Sequence, residues 1–288
     1  MSGISQDIIL DVCRLRTTFL DDIGNSRTIS GSGFWVTSEE SNIFVTNKHN
    51  VDPTLKLGAD TKYRLETCEV ELRGDVQQLI AEAKQNSGQF SIEFTRFFKI
   101  NNFSDCLLKS GSSDVAIMRD PIFTDDLGAY TFGKIISKED LADSSFFQDK
   151  VAMMDIASFI GYPGRGNNIW FDDQFNAPIA RLVNIASWPK VPFSNKSIPT
   201  KDTLLVSGLS FSGSSGSVVL LHEKGVKAGQ GLKNPDYVPP KVLGIMSGHW
   251  WEPNTGPEMF SHSGLSYFTR STSILALMEK ETLPSQPS

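Results

Sequence analysis

Ser212-Gly213-Ser214-Ser215-Gly216-Ser217-Val218-Val219-Leu220 sets a serine in a tight glycine turn at the mouth of an apolar strand. Two upstream segments have the same construction. Phe44-Val45-Thr46-Asn47-Lys48-His49-Asn50-Val51 ends a strand-like run on a histidine, and Ser112-Ser113-Asp114-Val115-Ala116-Ile117-Met118 starts one on an aspartate. The chain order is therefore His49, Asp114, Ser215. A serine hydroxyl is a weak nucleophile at neutral pH and needs a base within hydrogen-bond reach to take its proton. Of the four histidines, only His49 precedes Asp114 and sits at a strand end, since His222, His249 and His262 all follow the serine.

The three segments resemble motifs of the trypsin/chymotrypsin-like serine peptidase superfamily, most nearly its disulfide-free bacterial and viral branches. The His49 segment is similar to T-A-A-H-C, with Thr46 kept and Asn50 in place of the cysteine. Asp114-Val115-Ala116-Ile117 is similar to D-I-A-L, and Gly213-Ser214-Ser215-Gly216-Ser217-Val218 to G-D-S-G-G-P. The order also agrees: chymotrypsin-type enzymes run His, Asp, Ser, whereas other hydrolases with these residues run Asp, His, Ser or Ser, Asp, His. The resemblance implies an all-β, chymotrypsin-like double β-barrel of two six-stranded antiparallel Greek-key barrels with a short C-terminal helix. It implies a cofactor-free serine endopeptidase in which Ser215 is the nucleophile, His49 the base and Asp114 the residue that fixes the imidazole tautomer.

The remaining site residues follow from the same resemblance. Gly213 and Ser215 would offer backbone N–H groups to the developing oxyanion, and Ser247 would bond to Asp114 and line the substrate channel. Leu209, Gly248, His249, His262 and Gly264 are the other candidates for the pocket that holds the residue before the scissile bond. Leu209 offers no charge for Lys or Arg, and His249 stands where glycine is common, which favours a small or medium apolar residue. The alternative is that His262 binds an acidic or amide side chain. Ser214 replaces the aspartate that pairs with a newly cut N-terminus in secreted zymogens, so any activation is expected to come from a partner protein, from assembly or from rearrangement of the 223–240 loop.

With 288 residues, 39% hydrophobic and 21% charged, the chain has an ordinary globular composition and length for a sizeable core. Its net charge of −6 leaves no basic footprint for nucleic acid. No basic, apolar leader opens the sequence, and no window is long and apolar enough for a membrane span. Cys13, Cys68 and Cys106 are odd in number and widely separated, which suits small buried hydrophobes better than disulfides or a metal site. These features lead to an expectation of a cytoplasmic protein whose partners are a protein or peptide substrate and an activating protein, with neither nucleic acid nor membrane.

Gly31 to Val36 and Ile43 to Thr46 read as a strand hairpin around Glu39-Glu40, after an Ile8 to Leu15 run that suits helix or strand. Tyr63 to Arg73 and Phe90 to Ile100 alternate as strands, and Val76 to Lys84 has a helical pattern between them, read as an insertion. A second series of strand signals begins near Val151, including Phe159-Ile160-Gly161-Tyr162-Pro163-Gly164 with its turn. The 223–240 excursion reads as an exposed hairpin loop, 271–281 as the C-terminal helix, and 284–288 as a disordered tail. The expected division is an N-terminal barrel over 1–125 carrying His49 and Asp114, a connection over 126–150, a C-terminal barrel over 151–270 carrying Ser215, and a helix and tail over 271–288.

Other classes fit less well. The strongest competitor is the same fold used as a latent or non-catalytic binding module. A lipase-type G-x-S-x-G elbow has different spacing and order. Gly161 to Gly166 lacks a dinucleotide or P-loop pattern, and no H-E-x-x-H motif supports metal chemistry.

Overall fold

The computed structural model describes residues 6–39, 41–57, 62–74, 95–128, 130–165, 168–171, 176–195, 201–226, 237–253 and 260–280. The expected helical insertion over 76–84 and the tail over 284–288 lie outside these residues, as does most of the 223–240 excursion. That excursion's base is described: Lys224 bridges Val238 in antiparallel fashion, as a hairpin requires.

The first sheet contains β1 (Val12–Leu20), β2 (Ser26–Thr37), β3 (Asn42–Thr46), β4 (Arg64–Gly74), β5 (Thr95–Lys99), β6 (Leu107–Lys109), β7 (Ala116–Arg119) and β8 (Tyr130–Thr131). The order is β5-β4-β1-β2-β3-β7-β6, with β8 on β4 and every pair antiparallel. The Ile8 to Leu15 run resolves into a 3-10 turn, Gln6–Leu10, that feeds β1. This half differs from an ideal six-stranded barrel. Among the described residues three of its eight strands, β6, β7 and β8, are short, and the sheet curls shut through irregular chain: Ile100, past β5, bridges Phe123, past β7, and Asn101 N–H donates to Ile122 O at 2.7 Å.

The second half holds β9 (Ile156–Gly161), the small pair β10 (Gly164–Arg165) and β11 (Asn168–Ile169), then β12 (Ile179–Ile185), β13 (Thr203–Ser207), β14 (Val218–Leu221), β15 (Lys241–Pro253) and β16 (Phe260–Arg270). Here the barrel closes fully, in the order β12-β13-β16-β15-β14-β9. Among the described residues five short α-helices complete the fold: α1 (Lys48–Val51), α2 (Pro53–Leu57), α3 (Phe103–Cys106), α4 (Ser144–Asp149) and α5 (Ser271–Met278). The architecture is the chymotrypsin-like double barrel. Among the described residues no helix is long and apolar enough to cross a membrane.

Three apolar clusters explain why particular strands lack polar alternation. One fills the first barrel, around Trp35, Phe44, Leu72 and Phe98; one fills the second, around Phe159, Val206, Val219 and Phe268; the third lies between them. Strands bordering the seam must be apolar on both faces, because successive side chains point to opposite sides. In β14, Val219 and Leu221 enter the second barrel while Val218 and Leu220 enter the seam. Likewise Phe44 of β3 and Met118 of β7 face the first barrel, and Ile43, Val45 and Ile117 face the seam. His49 follows β3, Asp114 precedes β7 and Ser215 precedes β14, so the doubly buried strands deliver all three to one junction.

The cysteines are all free and buried, Cys13 and Cys68 deep among the side chains of the first barrel. Burial pushes the Cys13 thiol up to about 12 and that of Cys106 up to about 11, so both stay protonated and behave as apolar fillers.

Candidate active site

His49 sits in the single turn of α1, three residues past the end of β3. Its ring Nδ1 lies 2.7 Å from Asp114 Oδ2, and its backbone N–H donates to Asp114 Oδ1 at 3.0 Å. An ionised carboxylate can only accept, so the ring proton belongs on Nδ1 and Nε2 is left as the basic nitrogen. Asp114 is itself fixed in a tight turn, closed by Ser110 N–H donating to Val115 O at 3.0 Å.

Ser215 occupies the turn between β13 and β14 and lines, with His49 and Asp114, a cleft of about 770 Å³. Among the described residues the Ser215 hydroxyl makes no hydrogen bond to the His49 ring. The turn's amides divide in two. Those of Ser214, Gly216 and Ser217 donate to Phe211 O, Met246 O and Ser214 O, each at 3.0 Å. Those of Gly213 and Ser215 have no acceptor among the described residues. Gly213 has φ +87°, and a Cβ there would meet Tyr162 O at 2.4 Å, so both the backbone conformation and the available space require glycine.

Chain from the first barrel holds this turn from behind. Ser32 N–H donates to Ser215 O at 2.7 Å, and Ser32 Oγ donates to Gly213 O at 2.9 Å. Asn50 Nδ2 donates to Thr46 Oγ1 at 3.1 Å and to Ser215 O at 3.3 Å. Sequence reading marked Asn50 only as a replacement and Ser32 only as part of a strand. Nothing local to either residue signals a bond to a turn more than 160 positions away.

Two expectations about the pocket need correction. Ser247 does not bond to the Asp114 carboxylate. Its hydroxyl accepts from Asn47 Nδ2 at 3.0 Å and lies 2.8 Å from Thr269 Oγ1, while the two Asp114 carboxylate oxygens each meet His49. Of the pocket candidates, Ser247, Gly248 and His249 line the cleft, whereas Leu209, His262 and Gly264 do not. Leu209 is half-exposed, and its carbonyl accepts from Arg181 Nη1 at 3.3 Å. The His262 ring is stacked on that of His249, with centroids 4.6 Å apart, and receives the Gly264 amide on Nδ1 at 2.9 Å.

His249 Nδ1 lies 3.2 Å from Ser210 Oγ, and the ring meets Trp251 edge-on at 4.5 Å. Burial, with His262 alongside, pushes the His249 pKa down to about 4, so this ring is neutral at physiological pH. Tyr267, which sequence reading missed, also lines the cleft. Its hydroxyl is so close to Gly248 that a Cβ there would meet it at 2.5 Å. Burial and then the Asp114 charge raise the Tyr267 pKa, which keeps the phenol protonated. Among the described residues no cluster of three or more His, Cys, Asp or Glu side chains could hold a metal ion.

No protein-family model matches the sequence, and no curated protein does. Among solved structures, the chain is similar to the MamO protease domain from Magnetospirillum magneticum in its apo form, at 12% identity and TM-score 0.49 over 96% of this chain and 99% of that one. It is similar to Deg5 at 12% identity and TM-score 0.49, over 95% of this chain and 89% of that one.

Proposed function

We propose that this chain is a serine endopeptidase acting through a His49, Asp114 and Ser215 triad. The observation that carries the reading is the His49 ring bonded through Nδ1 to Asp114 in the cleft that Ser215 lines. In the reaction, Ser215 Oγ attacks a peptide carbonyl and passes its proton to His49 Nε2. The carbonyl oxygen becomes an oxyanion facing the Gly213 and Ser215 amides, the donors that no acceptor among the described residues occupies. Collapse breaks the C–N bond, the amine leaves with the proton from His49, and a His49-activated water hydrolyses the acyl-enzyme.

The pocket wall of Gly248, neutral His249 and protonated Tyr267 suits a small or medium uncharged residue before the scissile bond, since these three side chains offer no fixed charge to Lys, Arg, Asp or Glu; Arg27 lines the same cleft. Ser214 is buried and its hydroxyl accepts the Phe211 amide at 3.3 Å, so it offers no anion to a newly formed N-terminus. Three buried free thiols fit a reducing, cytoplasmic setting.

A second reading, a latent module awaiting a partner, is favoured by one observation: the missing hydrogen bond between Ser215 and His49. Catalytic hydrogen bonds often tighten only on substrate binding, so this spacing is compatible with both readings. A peptide library incubated with wild type and Ser215→Ala separates them. Cleavage by wild type alone, after small uncharged residues, supports the peptidase; cleavage after Arg or Lys contradicts the pocket assignment, and no cleavage by either protein favours the latent module.

A further inference from the structure

Asn47 is fully buried at the N-cap of α1, a position where asparagine ordinarily turns its side chain onto the first helical amides. Here it makes no such bond. Its Nδ2 instead donates to the Asp114 carbonyl at 2.9 Å and to Ser247 Oγ at 3.0 Å. The amide orientation is forced, because the Asp114 carbonyl can only accept. Its own Oδ1 is left buried without a partner among the described residues. A side chain that forgoes its cap and strands an oxygen does so against local stability, which points to a role set by the site.

The geometry points to Asn47 as the positioning residue of the triad, acting through Asp114. Among the described residues the Asp114 carboxylate bonds only to His49, so no other side chain aims it; it is aimed by the main chain that carries it, and Asn47 grips that main chain at Asp114 O. The other half of the grip crosses to the second barrel. Ser247 Oγ accepts from Asn47 and directs its proton to Ile245 O, 3.2 Å away, or to Thr269 Oγ1. Asn47 therefore links the strand preceding His49, the turn carrying Asp114 and β15 on the far side of the seam. It replaces the direct bond between Ser247 and the carboxylate that the sequence resemblance implied.

This inference rests on the peptidase reading, but its test does not depend on turnover. In wild type, the hydrogen-bonded Nδ1 proton of His49 should give a downfield 1H resonance, assigned by its loss in His49→Ala. Asn47→Asp keeps the shape and removes both donors; Asn47→Ser is smaller and keeps one. The expected result is a shifted or exchange-broadened resonance in each variant that unfolds at the wild-type denaturant midpoint. Fluorophosphonate labelling of Ser215 should slow about ten- to a hundredfold in Asn47→Asp and less in Asn47→Ser. A folded variant with an unchanged resonance and wild-type labelling rate overturns the assignment. If wild type is not labelled, the peptidase reading fails, and the resonance alone still decides whether Asn47 sets the pair formed by Asp114 and His49.

Discussion

That His49, Asp114 and Ser215 share one cleft was legible because each stands in a short motif beside an apolar run, and the chain order adds specificity that no single motif has. Asp114→Asn should lower kcat by about 10³- to 10⁴-fold, since the amide cannot hold the same tautomer; near-normal turnover would remove Asp114 from the mechanism. Gly213→Ala places a Cβ against Tyr162 O in a backbone conformation that alanine resists, and should cost about a hundredfold in kcat by turning the oxyanion amide away. Steady-state kinetics on the purified variant reads this directly. The residues that brace these three segments were not legible. Asn47 and Ser32 act through contacts with distant chain, and their identities are equally at home in a cap or a strand. His262 was named a pocket candidate by resemblance alone; the pairing of β15 with β16 sets it opposite Trp251 and leaves its ring stacked on His249.

Among the elements, the hairpin of β2 and β3 and the run that forms β14 could be read from composition, because strands buried on both faces show uninterrupted Val, Ile, Leu and Phe. Phe44 fills the first barrel and packs on Trp35 with centroids 5.1 Å apart, so Phe44→Ala should destabilise the protein by about 3–5 kcal/mol in urea titration. A loss below about 1 kcal/mol would mean that the first barrel is far more loosely packed than these contacts imply. The irregular closure of that barrel could not be foreseen. Ile100 and Phe123 meet through isolated bridging, which leaves no periodic trace in either segment. The strand expected from Phe90 is described only from Thr95, where β5 begins.

At the scale of the whole molecule, the start of β1 is tied to the chain between the barrels. Asp11 Oδ2 accepts the amides of Ile135 at 2.9 Å and Ile136 at 2.6 Å, while Oδ1 is buried without a partner among the described residues. Burial raises the Asp11 pKa to about 7 from 3.8, against the lowering effect of the two amides. The folded state thus binds this proton more tightly than the unfolded state. Its contribution to stability is complete below about pH 4 and is lost as pH rises through about 7. Denaturant midpoints taken from pH 5 to pH 8 should therefore fall more steeply in wild type than in Asp11→Asn; parallel slopes would mean that Asp11 ionises normally. The tie is invisible in sequence because it joins residues more than 120 positions apart.

The central claim is an activated Ser215 in a cleft shared with His49. Its most direct test is to treat purified wild type, Ser215→Ala and His49→Ala with a fluorophosphonate and weigh the intact proteins. The expected result is one phosphonyl adduct on wild type and none on either variant. An unlabelled wild type, or labelling that survives loss of His49, would contradict the account.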